Sequence, residues 1–251
     1  MIKIPDKLKP ENFIIEPITQ NANNRTINKP TKMPLNNYTI KEIRNLFFIE
    51  YKTMFKREFQ MTKESKELLY TILCYFFKDE HFFNSPLLII LQGTTPSLDK
   101  GLLIMGNCGT GKTSILLALE QVFKKYVTYN YRTHFKSMTA YEVVIEYGKL
   151  KSPEEREDFY RKHQGGFRLY DDVKSEDDAS NFGKINLFAK ILFLRNSKGS
   201  KTILTCNYDS AFPNDFEKGI DQFGIRYDEK IYDRLHSDFN FIEARGKSLR
   251  G

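Results

Sequence analysis

Apolar residues recur along this chain in two rhythms. In the first, Ile40, Ile43, Phe47, Tyr51, Met54 and Phe55 fall at helical spacing, and Leu68, Leu69, Ile72, Leu73, Phe76 and Phe77 do so again. The first stripe opens on Thr39-Ile-Lys-Glu42, a capping box whose hydroxyl and carboxylate satisfy free N–H groups at a helix start. Helices are therefore expected from Thr39 and over about residues 63–77, with their stripes packed as core. The turn-rich stretch 92–100 ends this rhythm. Short apolar runs then read as strands at 102–105, 167–170, 202–205 and 239–243, with one more expected near 132–136. Helical patterns lie between them at 114–125, at 139–147 behind a second capping box (Thr139 to Glu142), after Ser152-Pro-Glu-Glu155, and near 185–195. Such alternation predicts an α/β fold, a parallel sheet with helices on both faces. The expected organisation is an extended arm over 1–38, a small helical N-terminal region over 39–95 and the sheet-bearing domain over 96–251.

Composition narrows the class. The 251 residues are 40% hydrophobic, enough for a sizeable core. No apolar run approaches the roughly 20 residues of a membrane helix, the longest being 86–91, so no membrane association is expected. The opening residues carry Pro and acids where a signal peptide needs an apolar stretch. Cys74, Cys108 and Cys206 lie far apart, which argues against a disulfide framework or a zinc site and fits a reducing, cytoplasmic setting. A formal net charge of +7 favours polyanionic partners, nucleic acid first.

The chemistry concentrates at Gly106-Asn107-Cys108-Gly109-Thr110-Gly111-Lys112-Thr113, which matches G-x-x-x-x-G-K-[ST] between a predicted strand and a predicted helix. The glycines let successive N–H groups face one point, and the helix N-terminus adds partial positive charge there. Lys112 supplies a cation for the β- and γ-phosphates of ATP, and the Thr113 hydroxyl a ligand for Mg2+. An acid is then needed at the end of a neighbouring strand. Phe167-Arg-Leu-Tyr-Asp171-Asp172 delivers Asp171 to the magnesium and Asp172 to the attacking water. The strand 202–206 ends in Asn207, whose amide can reach the γ-phosphate or the water if that strand lies between the other two.

Together these motifs resemble the AAA+ ATPases, and within them the DnaC/IstB group of helicase loaders and transposition ATPases. The resemblance covers roughly residues 99–251 and adds Tyr227-Asp-Glu-Lys-Ile-Tyr-Asp-Arg-Leu235 and Gly246-Lys-Ser-Leu-Arg250 to the segments above. It implies that residues 106–113 are the Walker A loop, Asp171 and Asp172 the Walker B pair, and Asn207 a sensor of the γ-phosphate. Arg234 becomes the arginine finger of a head-to-tail homo-oligomer, reaching into the next subunit's site. Arg250 matches a C-terminal Ser-x-Arg element without an assigned role, and Lys230 stands where many relatives have Arg. With little chain after Arg250, no C-terminal lid domain is expected. Residues 141–162 occupy the place where related initiators and loaders carry DNA-contacting helices. They hold Lys149, Lys151, Arg156, Arg161 and Lys162 among Tyr141, Tyr147 and Tyr160. The implied function is an ATP-hydrolysing accessory of DNA replication, acting with single-stranded DNA and a replicative helicase. The alternatives are an IstB-like ATPase serving a transposase and a nucleotide-gated binding protein with negligible turnover. A GTPase would need Asn-Lys-x-Asp after the loop, and a transporter ATPase Leu-Ser-Gly-Gly; neither occurs.

Overall fold

A computed structural model of the chain describes residues 31–179 and 185–249. Most of the expected arm and Arg250 lie outside the described residues. The last part of the arm docks on the body. Met33 donates to the Tyr126 carbonyl at 3.1 Å, and Thr128 N–H returns to Met33 O at 2.9 Å.

Helix α1 (Ile40–Phe55) starts as its capping box requires. Thr39 N–H donates to Glu42 Oε2 at 2.7 Å, and Glu42 N–H to Thr39 Oγ1 at 3.2 Å. It ends at Lys56, in the left-handed region at φ 56°. Helix α2 (Lys63–Phe77) is capped by Thr62, whose hydroxyl accepts from Ser65 N–H at 3.1 Å. Neither helix stands apart from the sheet. Their apolar stripes share one core with helix α3 (Lys112–Tyr126) and with Leu102, Ile104, Ile203 and Ile242 of the sheet. Packing is thus continuous across residue 95. The buried Glu50 of α1 adds a polar tie to α3, accepting from Lys125 Nζ at 2.5 Å and Tyr126 Oη at 2.9 Å.

The sheet contains β1 (Leu88–Ile89), β2 (Gly101–Gly106), β3 (Lys136–Thr139), β4 (Arg168–Asp171), β5 (Thr202–Cys206) and β6 (Phe239–Ala244). Their spatial order is β1-β6-β2-β5-β4-β3. All pairings are parallel except β1 with β6, an antiparallel edge pair too short to show in the apolar pattern. The expected strand near 132–136 lies later, as β3. Residues 130–135 form a turn held by Asn130, and β3 itself is a half-exposed edge with a weak apolar signature. Alternation along β2 sends Leu102 and Ile104 to the α1–α3 face and Leu103 and Met105 to the other. That second face is covered by α4 (Ala140–Gly148), α5 (Pro153–Gln164), α6 (Leu187–Ser197), α7 (Phe216–Arg226) and α8 (Glu229–Asp238). Among the described residues no helix or strand follows β6. None of their helices is long and apolar enough to cross a membrane.

The loops entering the strands are tied by one side chain. Arg195 of α6 is 1% exposed. Its guanidinium donates to Thr202 Oγ1 (2.9 Å) and to the carbonyls of His163 (2.7 Å), Gly165 (3.2 Å), Gly166 (2.8 Å) and Lys201 (2.6 Å). The approaches to β4 and β5 are thereby fixed to α5 and α6.

Candidate nucleotide site

β5 lies between β2 and β4, so the carboxyl ends of three parallel strands deliver the phosphate loop, Asn207 and the Asp171-Asp172 pair to one place. Ligands of open α/β sheets bind at such carboxyl ends. The loop leaves β2 at Gly106 and enters α3 at Lys112, with Gly109 and Gly111 at φ 84° and 92°. A side chain at Gly109 would be strained by that φ and would also meet Ser248, whose Oγ lies 2.2 Å from the Cβ position. The closeness reflects a strap, residues 246–249, that crosses the loop after β6. Leu249 N–H donates to Gly109 O at 2.9 Å.

A connected polar chain surrounds the site. Lys112, 6% exposed, donates through Nζ to the carbonyls of Gly106 (2.8 Å) and Asn107 (2.9 Å) and to Asn207 Oδ1 (3.1 Å). Burial pushes its ammonium below the usual lysine range, against the partial offset of Cys206, Cys108 and the two aspartates. Asn207 Nδ2 donates to Asp172 Oδ1 at 2.9 Å, so one amide joins the loop lysine to the second acid. Asp172 N–H donates to Thr205 Oγ1 at 3.0 Å, and the Thr205 hydroxyl donates to Asp171 Oδ1. Thr113 Oγ1 donates to the same Asp171 oxygen at 2.7 Å. Asp172 sits at φ 57°, a backbone state that Asp tolerates better than most residues and that turns it out of the strand line.

The sequence-predicted residues distribute as follows. Cys108 to Thr113, Asp171, Asp172 and Asn207 line one cavity of about 330 Å³, while Gly106 and Asn107 contribute their carbonyls to Lys112 at its edge. The Asn107 side chain turns away and donates to Asn214 at 2.7 Å. Arg234 is elsewhere. On α8, with Gly101, Thr202 and Phe239, it lines a separate cavity at the amino ends of β2, β5 and β6. Its guanidinium lies 4.2 Å over the Phe193 ring. It is separated from its own loop along the strands, by a strand length of roughly 15–20 Å, rather than across the sheet. The strands that follow Arg234 and precede the loop are direct neighbours.

Besides Ser114, next to the loop, three contributors to the cavity escaped sequence reading. Thr205 is one, although a polar residue in the buried run Thr-Ile-Leu-Thr-Cys was a signal. Leu249 of the strap is another. The third is the end of α1, which supplies Tyr51, Phe55 and Arg57 as a wall. Helical periodicity marks those rings as core and says nothing of a cavity beside them. In the 141–162 segment, Tyr147 is buried, Arg161 pairs with Asp158 at 2.8 Å, and Lys162 pairs with Glu146 at 2.6 Å. Lys190 Nζ covers the Tyr160 ring at 4.1 Å. Tyr141, Lys149 and Lys151 remain exposed.

The fit to magnesium rests on the Thr113–Asp171 pair. A hydroxyl and a carboxylate, both hard oxygen donors, meet at the cavity wall, the hydroxyl on the second residue of α3. No family model matches the sequence, and no curated protein is significantly similar to it. Solved structures do match. The crystal structure of the DnaC helicase loader aligns with a TM-score of 0.50 and 14% identity, over 76% of this chain and 94% of that one. The crystal structure of DnaI gives 0.44 and 15% over 84% and 96%. AMPPCP-bound DnaA from Aquifex aeolicus gives 0.40 and 16% over 58% and 40%.

Proposed function

From a DnaC-like AAA+ P-loop fold, we propose that this chain is an ATPase that acts as an accessory of DNA replication, with a replicative helicase and single-stranded DNA as partners. The observation that carries the ATPase reading is the linked set Lys112–Asn207–Asp172–Thr205–Asp171–Thr113 on one cavity wall. It joins a cation for phosphates, two oxygen donors for magnesium and a second carboxylate held by an amide, the parts phosphoryl transfer to water requires. The helicase partner is carried by the likeness to a loader alone.

The residues act in distinct ways. Backbone N–H groups of residues 109–113 and Lys112 Nζ receive the β- and γ-phosphates, the ammonium exchanging its loop carbonyls for phosphate oxygens. Thr113 and Asp171 would hold Mg2+, which would supply positive charge against the phosphates. Asp172 takes a proton from the attacking water, its carboxylate aimed by Asn207 and its backbone by Thr205. Asn207 touches both Lys112 and Asp172, so phosphate arrival at the lysine is felt at the acid. Arg234 is supplied to a neighbouring subunit in a head-to-tail assembly, where an arginine finger is worth about a thousandfold or more in rate. Asp172 has one methylene less reach than Glu, which favours slow turnover and a switch-like use of the nucleotide.

ATP turnover of variants tests this. Asp172→Asn keeps a residue that tolerates positive φ, so it should bind ATP normally and hydrolyse it at least about 100-fold more slowly. Arg234→Ala should also bind and fail to hydrolyse, and mixing it with Lys112→Ala should partly restore activity. Parental turnover by Asp172→Asn would remove the general base. A fully active Arg234→Ala would remove the finger.

A further inference from the structure

We infer that the loop between α3 and β3 forms a binding site for single-stranded nucleic acid, at the end of the sheet opposite the nucleotide. The inference deepens the proposed single-strand contact and rests on it. Tyr129 and Tyr131 are 75% and 66% exposed, against the usual half-buried state of tyrosine. Their loop is held in one shape by Asn130. Its side chain accepts from Arg132 N–H at 2.8 Å, and its carbonyl accepts from Thr133 N–H at 3.0 Å and His134 N–H at 2.9 Å. The rings are therefore presented without the ordering cost of a floppy loop.

Each ring edges its own groove. Tyr129 lines one of about 460 Å³ with Lys78 and Tyr75, and Tyr131 lines one of about 320 Å³ with Phe167 and Asp99. Arg132 and Lys201 line both grooves and so form the ridge between them. The Arg132 guanidinium lies 5.5 Å from the centre of the Tyr131 ring and donates through Nε to its hydroxyl at 3.0 Å. Lys201 Nζ lies 4.5 Å over Tyr75, and burial lowers its pKa to about 8, a shift that a phosphate would reverse. Two ring-edged grooves flanking a cationic ridge suit a strand that places bases on either side of a phosphate. Every base has a face that stacks on a ring, so such a site tolerates any sequence. Asp99 is the opposing charge, bridging Lys78 at 2.8 Å and facing Arg132 at 3.8 Å. A polyanion must displace it, and its removal must help.

Fluorescence anisotropy with a labelled oligo-dT, on the full chain with ATP and Mg2+, tests the site. Tyr129→Ala and Tyr131→Ala should each lower affinity about tenfold, since stacking on one ring is of that order. Tyr129→Phe should bind like the parent, and Tyr131→Phe, which keeps the stacking face and frees Arg132 from its 3.0 Å bond to the ring hydroxyl, should bind at least as well. Arg132→Ala should flatten the log affinity against log salt plot by about 0.7. Asp99→Asn should tighten binding several-fold, a gain that loss of structure cannot imitate. A parent that binds no oligonucleotide while hydrolysing ATP overturns the single-strand reading itself. A parent that binds, with Ala variants that bind equally well, overturns this location alone. Ala variants that keep oligonucleotide binding and lose an acidic protein partner assign the surface to protein, which also overturns it.

Discussion

Lys112 and Arg195 are both buried cations bonded mainly to backbone carbonyls, and they sit at opposite ends of the same sheet. Burial lowers the pKa of each, that of Arg195 to about 10. What surrounds them differs. Arg195 uses its guanidinium on five protein oxygens of two strand approaches, with no carboxylate among the described residues near enough to pair. Lys112 shares its cavity with two carboxylates, three threonine hydroxyls and an amide, and the cavity opens to solvent. A buried cation whose donors are all met by four carbonyls and a buried hydroxyl has no capacity for a ligand and holds structure. One whose bonds go to a glycine loop beside acids can exchange them. Depressed pKa alone does not distinguish the two.

The largest expected effect breaks the structural end. Arg195→Met removes a buried guanidinium and leaves several carbonyls without donors, which should cost about 3–5 kcal/mol of folding stability. Urea denaturation measures it. ATP affinity of the folded fraction should stay within about twofold, since Arg195 touches nothing at the phosphate loop. A weakly destabilised variant with lost ATP binding would reverse the two roles.

The same end should be acid-labile. His163 gives its carbonyl to Arg195, and its buried ring meets Tyr170 Oη at 3.0 Å. Burial, with Arg168 nearby and against the pull of Glu146, lowers its pKa to about 4 from 6.5. The unfolded chain therefore takes this proton first. The contribution is complete above about pH 6.5 and is lost as pH falls toward 4, at most about 3 kcal/mol in all. His163→Gln should flatten stability against pH across that window. An unchanged slope would mean that the ring is charged in the folded protein.

How much of this contrast was legible in the chain follows from range. The phosphate loop is eight consecutive residues with local physics, and the buried strands are apolar runs, so both could be read directly. Asp171 and Asn207 needed only the assumption that β5 lies between β2 and β4. Arg195 could not be read, because an Arg near a helix end usually reads as a solvated cation. Its burial depends on loops 30 residues away in sequence. β1 has two residues and β3 a half-exposed edge, and neither leaves a clear period. The α1 wall was hidden for a different reason: Tyr51 and Phe55 do pack as core, and only tertiary structure sets them beside the phosphate loop.

At the ligand end, Lys112→Ala should lower ATP affinity about 10- to 100-fold, the range of one lost charge-assisted contact, while changing stability little. Thermal shift against a Mg-ATP titration reads both quantities at once, since ligand at about 100 times its Kd adds about 2.7 kcal/mol. Ligand-induced stabilisation equal to the parent's would end the phosphate assignment. A strong loss of stability without ligand would place Lys112 in the same class as Arg195.

The smallest expected effect falls on Arg57, and it sharpens the contrast most. Arg57 follows the left-handed cap of α1 and lines the nucleotide cavity, where its Nη1 donates to Leu249 O at 3.4 Å. That long bond, its one hydrogen bond among the described residues, is weak, so the guanidinium is exchangeable in the way Lys112 is and Arg195 is not. Two readings differ in what they require. If Arg57 only pins the strap over the loop, Arg57→Ala should weaken ATP and ADP equally. If it moves to the γ-phosphate, ATP should lose about three- to tenfold in affinity and ADP much less, because only ATP carries the extra charge. The second outcome would make α1 a sensor of the bound nucleotide, and it would link the N-terminal helices to the ATP cycle through one side chain. Competition between ATP and ADP for a fluorescent nucleotide, in parent and variant, measures the difference directly. Equal losses, or none, would leave α1 as packing and restrict nucleotide reading to the sheet.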